Sequence, residues 1–224
     1  MKTAEELLQN SVWGQQLSDS QRAKALAGII VRDIPSGAYV CHKGDPVDHW
    51  IGVINGLVKI SSHYVTGKTC SFTGVSPGGW VGEGSLLKTE PRRYDVIALR
   101  DSRIAYMSRH TFHWLLDNCI PFNRFLITQL NERLGQVLGL MENDRLLDTD
   151  SRIARCLAGL YNPVLYPGTD RQLQISQEEL GYLAGVSRQR VNQALKALED
   201  AGLLKVEYGG ITILDLRGLG NYGE

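Results

Sequence analysis

Residues 175–204 read ISQEELGYLAGVSRQRVNQALKALEDAGLL, and this stretch decides the fold of the C-terminal part of the chain. Ser176 and Glu179 have the spacing of a capping box, in which each side chain accepts a hydrogen bond from the other residue's backbone N–H. The box predicts a helix that begins at Gln177 and ends at Gly185. A second helix follows directly. Two short helices joined by a glycine turn are typical of a helix-turn-helix.

The second helix, which Ser187 caps and Gly202 ends, has two chemically different faces. At about 100° per residue, one face carries the apolar side chains of Val191, Ala194, Leu195 and Leu198. The opposite face carries the side chains of Arg188, Gln189, Asn192, Gln193 and Lys196. Because arginine matches guanine O6 and N7, and asparagine or glutamine matches adenine N6 and N7, this face predicts base reading in the major groove. We expect Gln177, Ser187 and the amides at both helix N-termini to contact phosphates.

Two apolar strands are predicted after these helices, at Leu203–Glu207 and Ile211–Leu214, on either side of the turn signal Tyr208-Gly209-Gly210. They supply a wing, which completes a winged helix-turn-helix. The residues alone leave a second interpretation open. A polar helix face is also found on winged domains that dock a protein partner and read no DNA.

The N-terminal part has a different sequence pattern. From Ile34 to about Ser108, short runs rich in Val, Ile and Tyr alternate with turn signals such as Lys43-Gly44-Asp45-Pro46 and Asn55-Gly56. Turns at this density favour a β-sandwich or barrel over βαβ units, which need long crossover helices. The first 30 or so residues have helical spacing and are expected to pack on these strands.

A long helix connects the two parts. Its apolar residues Leu126, Leu130, Leu134, Val137 and Met141 recur at intervals of 4, 4, 3 and 4 residues. We interpret this stripe as a dimer interface, and the alternative is a face buried within one chain. The polar segment Asp144–Asp150 is interpreted as a hinge before the C-terminal domain.

The helix-turn-helix sequence resembles that of the CRP/FNR-type bacterial transcription regulators, and the β-rich part fits their cyclic-nucleotide-binding-like domain. The resemblance implies an α+β chain, in which an N-terminal eight-stranded β-roll of jelly-roll type covers residues 1–118 with its preceding helices. A dimerisation helix and hinge would cover residues 119–147, and the winged helix-turn-helix residues 148–224. It further implies a homodimer on a palindromic promoter site, with recognition helices about 34 Å apart.

The resemblance also assigns roles to single residues. Arg188 stands at the family's usual specificity position, whereas Gln189 and Gln193 replace a glutamate and an arginine of the cyclic-AMP receptor proteins. We therefore expect a half-site that differs from the TGTGA type. The loop Asn162–Arg171 lies where related activators contact RNA polymerase, which is an expected partner.

The effector cassette of the family consists of a Gly-Glu segment and an arginine about ten residues later. This chain offers Gly82, Glu83, Gly84 and Ser85, followed by Arg93 and Tyr94. Glu83 is suited to a ribose hydroxyl, and Arg93 to a phosphate. Tyr94 replaces a serine or threonine, and Val137 and Leu138 replace the polar residues that grip adenine. Two interpretations stay open: a cyclic nucleotide effector, cAMP or cGMP, or a retained scaffold in which Glu83 and Arg93 form an internal ion pair.

Several functions are disfavoured by composition and motifs. Lys and Arg number 24 and so do Asp and Glu, so a DNA-binding role must rest on a local surface. No catalytic motif is present, and no metal site or enzyme activity is predicted. The lack of cysteines before Cys41 argues against an FNR-like iron–sulfur sensor. Haem sensing by a histidine and redox sensing by Cys119 or Cys156 stay open. With no apolar run of about 20 residues and no secretory signal, we expect a cytoplasmic protein.

Overall fold

The computed structural model describes residues 3–63 and 69–223, and it has the α+β architecture that the sequence predicts. The N-terminal part contains helices α1 (Ala4–Asn10), α2 (Asp19–Ala27), α3 (Glu83–Lys88) and α4 (Arg109–Asn118). Its strands are β1 (Ile29–Ile34), β2 (Tyr39–Cys41), β3 (His49–Asn55), β4 (Val58–His63), β5 (Thr69–Val75), β6 (Trp80–Val81), β7 (Asp95–Ala98) and β8 (Ser102–Ser108).

The eight strands form two four-stranded antiparallel sheets, with orders β1-β8-β3-β6 and β2-β7-β4-β5. This arrangement confirms the predicted β-roll. An apolar core lies between the sheets and includes Ile51, Val53, Val81, Val96 and Tyr106. Since β-branched residues fit a pleated, buried surface, this composition favours the strands that it fills.

An aromatic core joins the first sheet to the surrounding helices. Trp50 and Trp80 stack with their ring centroids 4.3 Å apart, and Trp13 packs 5.7 Å from each of them. Phe112 and Phe122 close the same cluster from the helices, and both are fully buried. The N-terminal helices are therefore part of the roll's folding unit, as their apolar spacing predicts.

The connecting helix α5 runs from Ile120 to Leu146. Its residues at spacings of four, three and four, namely Phe122, Leu126, Gln129 and Arg133, face the roll. Leu126 is only 2 % exposed within its own chain, so it does not join the other four residues of the predicted stripe. Those four, Leu130, Leu134, Val137 and Met141, are 39–57 % exposed, and Ile127 and Leu138 beside them are 69 % and 57 % exposed.

The C-terminal part contains α6 (Thr149–Gly159), β9 (Gln172–Leu173), α7 (Gln177–Ala184), α8 (Arg188–Asp200), β10 (Leu204–Glu207), β11 (Gly210–Ile213) and α9 (Leu216–Gly220). The three strands pair antiparallel in the order β10-β11-β9. The helix-turn-helix and the wing are thus confirmed as elements of the fold.

The break before this domain is shorter than the predicted hinge. Helix α5 continues to Leu146 and α6 begins at Thr149, where the Asp148 carboxylate accepts from the Ser151 N–H at 2.9 Å. Asp144 pairs with Arg152 of α6 at 2.9 Å. Only residues 147–148 therefore separate the two helices. The Asp148 cap and the Asp144–Arg152 ion pair hold the helix ends on either side of this short break.

Candidate DNA-reading surface and effector cassette

The recognition helix α8 presents the two faces that its sequence predicts. Val191, Ala194, Leu195 and Leu198 are buried in the core of the winged domain. The side chains of Arg188, Gln189, Asn192, Gln193 and Lys196 are all exposed. The helix therefore offers donors and acceptors along its outer surface and is anchored by its inner one.

Side-chain caps hold the two helices of this motif. The Ser176 N–H donates to Glu179 at 2.6 Å, and the Glu179 N–H donates to the Ser176 hydroxyl at 3.2 Å. Ser187 accepts from the Arg190 N–H at 3.3 Å and begins α8. Gly185 has a φ of +68°, a conformation that a side chain disfavours, and this permits the turn. Gln177, at the start of α7, is half-buried.

A groove of about 370 Å³ lies between α7, α8 and the wing. Arg188 and Gln177 line it, and so does Tyr208 from the wing tip. Tyr208 is fully exposed beside Gly209, whose φ is +77°. The sequence indicated a turn at this position but gave Tyr208 no role. The structure thus brings two predicted DNA-contact residues and the wing tip to one concave surface.

In the effector cassette, Glu83 pairs with Arg133 of the long helix. The Arg133 Nε lies 3.1 Å from Glu83 Oε1, and its Nη2 donates to the Trp80 carbonyl at 2.6 Å. The Trp50 indole N–H approaches the second Glu83 oxygen at 3.4 Å. Burial opposes the charge of Arg133, but Glu83, with smaller contributions from Tyr166 and Tyr94, raises its pKa above the ordinary value.

Two adjacent arginines of the cassette lie in different environments. Arg93 is exposed and donates to Glu90 at 2.7 Å. Arg92 is buried, and its Nη2 donates to the His49 carbonyl at 2.6 Å. Its Nη1 lies so close to Gly82 that a Cβ there would be 2.3 Å away. This Nη1 has no hydrogen-bond partner among the described residues.

These positions correct two expectations from the sequence. Glu83 and Arg93 form no ion pair with each other, because each has a nearer partner of opposite charge. The arginine that reaches the Gly82 backbone is Arg92, whereas Arg93 points to solvent. Arg93 and Tyr94 form a bend before β7 begins at Asp95; Arg92, which precedes the bend, is buried, and Arg93 within it is exposed.

The remaining residues of the predicted effector cassette differ in their burial. Ser85 is buried and donates to the Pro91 carbonyl at 3.4 Å, and Gly84 is half-buried. Tyr94 packs against the core between the sheets, where burial and then Glu83 raise its pKa. Val137 and Leu138 of α5 are more than half exposed in the single chain.

Burial makes the thiols of Cys41 and Cys156 less acidic than an ordinary cysteine. All four cysteines are free, and burial raises the pKa of Cys41 to about 11 and that of Cys156 to about 12. A raised thiol pKa disfavours the reactive thiolate. Over residues 3–63 and 69–223, no three His, Cys, Asp or Glu side chains are grouped so as to hold a metal ion. Likewise, none of the helices described has the length and apolar character to span a bilayer.

A β-roll with a buried charged cassette, joined through a long helix to a winged helix-turn-helix, defines a DNA-binding regulator with an attached sensor domain. Comparison with known families agrees with this class. The cyclic nucleotide-binding domain matches residues 31–119, and the Crp-like helix-turn-helix domain matches residues 151–222. The chain belongs to the CRP/FNR family of transcription regulators.

Individual relatives cover most of the chain. It is 28 % identical over 186 residues to the cAMP-activated global transcriptional regulator CRP of Haemophilus influenzae, which covers 82 % of this chain and 83 % of the relative. The structure of FixK2 from Bradyrhizobium japonicum aligns with a TM-score of 0.70 at 17 % identity, over 86 % of this chain and 96 % of FixK2. The c-di-GMP responsive global regulator CLP of Xanthomonas campestris aligns with a TM-score of 0.61 at 25 % identity, over 88 % of this chain and 99 % of CLP.

Proposed function

We propose that this regulator acts in the cytoplasm as a homodimer that reads a palindromic promoter site through α8. The single observation that carries the proposal is the division of α8 into a buried apolar face and an exposed face. The exposed face holds Arg188, Gln189, Asn192, Gln193 and Lys196. Binding to DNA and dimer formation are properties of the family, and the palindrome follows from two-fold symmetry.

The exposed stripe of α5 supports the dimer. Leu130, Leu134, Val137 and Met141, with Ile127 and Leu138 beside them, leave a long apolar surface on a single chain. A second copy of α5 is the partner that such a helical stripe fits. Leu126 is outside this interface because it is buried in its own chain.

The proposal is tested by selecting bound sequences from random duplexes and measuring affinity against salt. We expect enrichment of a site with two-fold symmetry and a linear fall of log affinity with log salt concentration. Analytical ultracentrifugation of the same protein should give a dimer. A protein-docking module without DNA reading would enrich no sequence, and that result would contradict the proposal.

We further propose a cyclic nucleotide, cAMP or cGMP, as the effector of the cassette. Two of the named relatives are a cAMP-activated regulator and a c-di-GMP responsive regulator. Among residues 3–63 and 69–223, Arg92 Nη1 is a buried donor without a hydrogen-bond partner, and it lies beside Gly82, the N-cap of α3. A cyclic phosphate is an acceptor that would satisfy this donor. We assign Gly84, Ser85 and Tyr94 to the same proposed site, and we leave Arg93 out of it because Arg93 is exposed and pairs with Glu90.

Calorimetric titration of the full-length protein distinguishes these roles. We expect saturable binding of cAMP or cGMP, retained in Arg93→Ala and weakened at least tenfold in Arg92→Lys, which keeps the charge but loses the planar fork. Cyclic di-GMP serves as a third ligand. Absence of binding by all three would contradict the effector proposal and leave the DNA-reading proposal intact.

Two further roles follow from the family. We propose that the exposed part of the loop Asn162–Arg171, which includes Pro163, Asp170 and Arg171, contacts RNA polymerase. The protein then works through binding equilibria, without catalysis. Pull-down of polymerase by the DNA-bound protein, and its loss on Arg171→Ala, tests this contact.

A further inference from the structure

The loop between α6 and β9 leaves the DNA-binding domain and packs into the β-roll. Leu165 and Tyr166 are each only 1 % exposed, and both belong to the core between the two sheets. They share that core with Val81, which immediately precedes Gly82, and with Val96, which follows Tyr94 by two residues. Two residues of the DNA-binding domain therefore lie among the residues that flank the effector cassette.

Tyr166 also packs on the segment that leads into the cassette. Its phenol raises the pKa of Arg133, which pairs with Glu83, and the phenol oxygen has no hydrogen-bond partner among the described residues. A Cβ on Gly79 would lie 2.8 Å from Tyr166 Cδ1, so the ring rests directly on the backbone before β6. The ring of Tyr166 therefore packs within the roll, in the same core as Val81, the residue before Gly82.

Hydrogen bonds hold the loop in this position. The Asn162 side chain donates to Glu132 of α5 at 2.8 Å and accepts from the Val164 and Leu165 N–H groups at 2.9 Å. Gly168 N–H donates to the Pro77 carbonyl of the roll at 3.2 Å. Hydrogen bonds thus hold the chain on both sides of the buried residues Leu165 and Tyr166.

A second set of contacts joins helix α7 to the roll. Arg100 Nε donates to Glu179 at 3.0 Å, and its Nη2 donates to the other oxygen of the same carboxylate. Lys59 Nζ lies 4.9 Å from the ring centroid of Tyr182. Leu57 of the roll is part of the apolar core of the winged domain. The loop and α7 therefore fix the position of the DNA-binding domain against the roll.

We propose that Tyr166 is an internal occupant of the effector pocket, which an incoming cyclic nucleotide must displace. The ring fills apolar space in the core between the sheets, directly beside the backbone that leads through β6 into Gly82 and Glu83. Because Tyr166 belongs to the DNA-binding domain, its displacement loosens the loop and allows that domain to reorient about residues 147–148. Effector binding and the docked position of the domain are therefore mutually exclusive, which couples the two sites.

This inference rests on the proposed cyclic nucleotide effector, and its test separates the two. Full-length wild type, Tyr166→Ala and Gln172→Ala are titrated calorimetrically with cAMP and cGMP. Gln172 is exposed directly after the same loop and serves as the matched control. Removing an internal competitor raises apparent affinity by the inverse of the open fraction, so we expect Tyr166→Ala to bind about tenfold or more tightly. Gln172→Ala should bind the nucleotide as the wild type does.

Each outcome has a definite meaning. Equal affinity of wild type and Tyr166→Ala overturns the internal-occupant proposal and leaves the effector proposal standing. Absence of binding by every variant overturns both. Weaker binding by a well-folded Tyr166→Ala makes the tyrosine part of the ligand site and also overturns the proposal.

A second measurement needs no variant and covers the case in which Tyr166→Ala does not fold. Hydrogen exchange at the Gly168 amide is followed in the wild type with and without saturating cAMP. The bond to Pro77 protects this amide in the free protein, and we expect exchange at least tenfold faster when nucleotide is bound. Unchanged protection under saturating ligand would contradict displacement of the loop.

Discussion

The recognition helix and the effector cassette hold their polar groups in opposite ways. The side chains of α8 that face outward are exposed, and short-range caps such as Ser187 hold the helix in place. In the cassette, Glu83 is buried and is paired with Arg133, which lies 50 positions further along the chain. An exposed face can change its specificity by single substitutions at little cost in stability. A buried pair resists such change, because removing one partner leaves the other charge uncompensated.

Of the substitutions considered for these two regions, Glu83→Gln is expected to cause the largest loss of folding stability. Loss of the carboxylate leaves Arg133 without its buried counter-charge, and breaking such a pair costs about 3–5 kcal/mol. Urea unfolding should show a lower midpoint. Glu90→Gln, which removes the exposed partner of Arg93, is the control and should leave the midpoint unchanged. The double variant Glu83→Leu with Arg133→Met should recover most of the loss. Similar midpoints for the two single variants would refute the buried role of Glu83.

Arg188→Ala tests the exposed region by its function. On a selected palindrome we expect the discrimination against a site with one changed half-site base to fall by about 1–3 kcal/mol. Folding stability should remain near that of the wild type, because Arg188 is exposed. Arg190→Ala removes the same charge from a residue paired with Asp150 at 2.6 Å and should leave discrimination unchanged. Equal discrimination by Arg188→Ala and the wild type in a fluorescence-anisotropy titration would exclude base reading by this residue.

Asp95 provides a pH-dependent test of the effector domain. Burial raises its pKa, but hydrogen bonds from His63 at 2.8 Å and the Lys43 N–H outweigh burial and place the pKa below its ordinary value. A lowered carboxyl pKa stabilises the fold above the unfolded-state pKa, and this contribution is lost as the pH falls through the folded-state pKa.

The Asp95→Asn variant should therefore be less stable at pH 7 by about 1–2 kcal/mol, with the difference shrinking below pH of about 4. Urea midpoints from pH 7 to pH 3 measure it. Asp33→Asn, at a carboxylate that is 76 % exposed, is the control. A constant difference over this range would contradict the assigned direction of the Asp95 shift.

The smallest expected effect is that of Ser187→Ala on stability. The hydroxyl caps α8 by accepting from the Arg190 N–H, and loss of such a cap costs about 1 kcal/mol. Ser187→Asp keeps an acceptor and should retain the wild-type midpoint of urea unfolding. A loss as large as that of Glu83→Gln would show that the exposed region also depends on long-range contacts.

How well the sequence predicts each region follows from the range of its contacts. The faces of α8 and its caps depend on residues three or four positions apart, so the local sequence pattern was sufficient to predict them. The Glu83–Arg133 pair joins residues 50 positions apart, and the sequence offered no direct sign of it. The spacing Phe122, Leu126, Gln129, Arg133 would have indicated a second inward face on α5. The position of Tyr166 depends on the docking of two domains, which local patterns do not encode.

The coupling between the two halves is measured most directly by titrating a selected palindromic duplex into the full-length protein with and without saturating cyclic nucleotide. If the nucleotide displaces Tyr166 and frees the DNA-binding domain, the affinity for DNA should change at least tenfold. Saturating DNA should then change the affinity for the nucleotide by the same factor, because the coupling is reciprocal. Saturable binding of both ligands with no mutual effect would contradict control of the DNA-reading helix by the effector cassette.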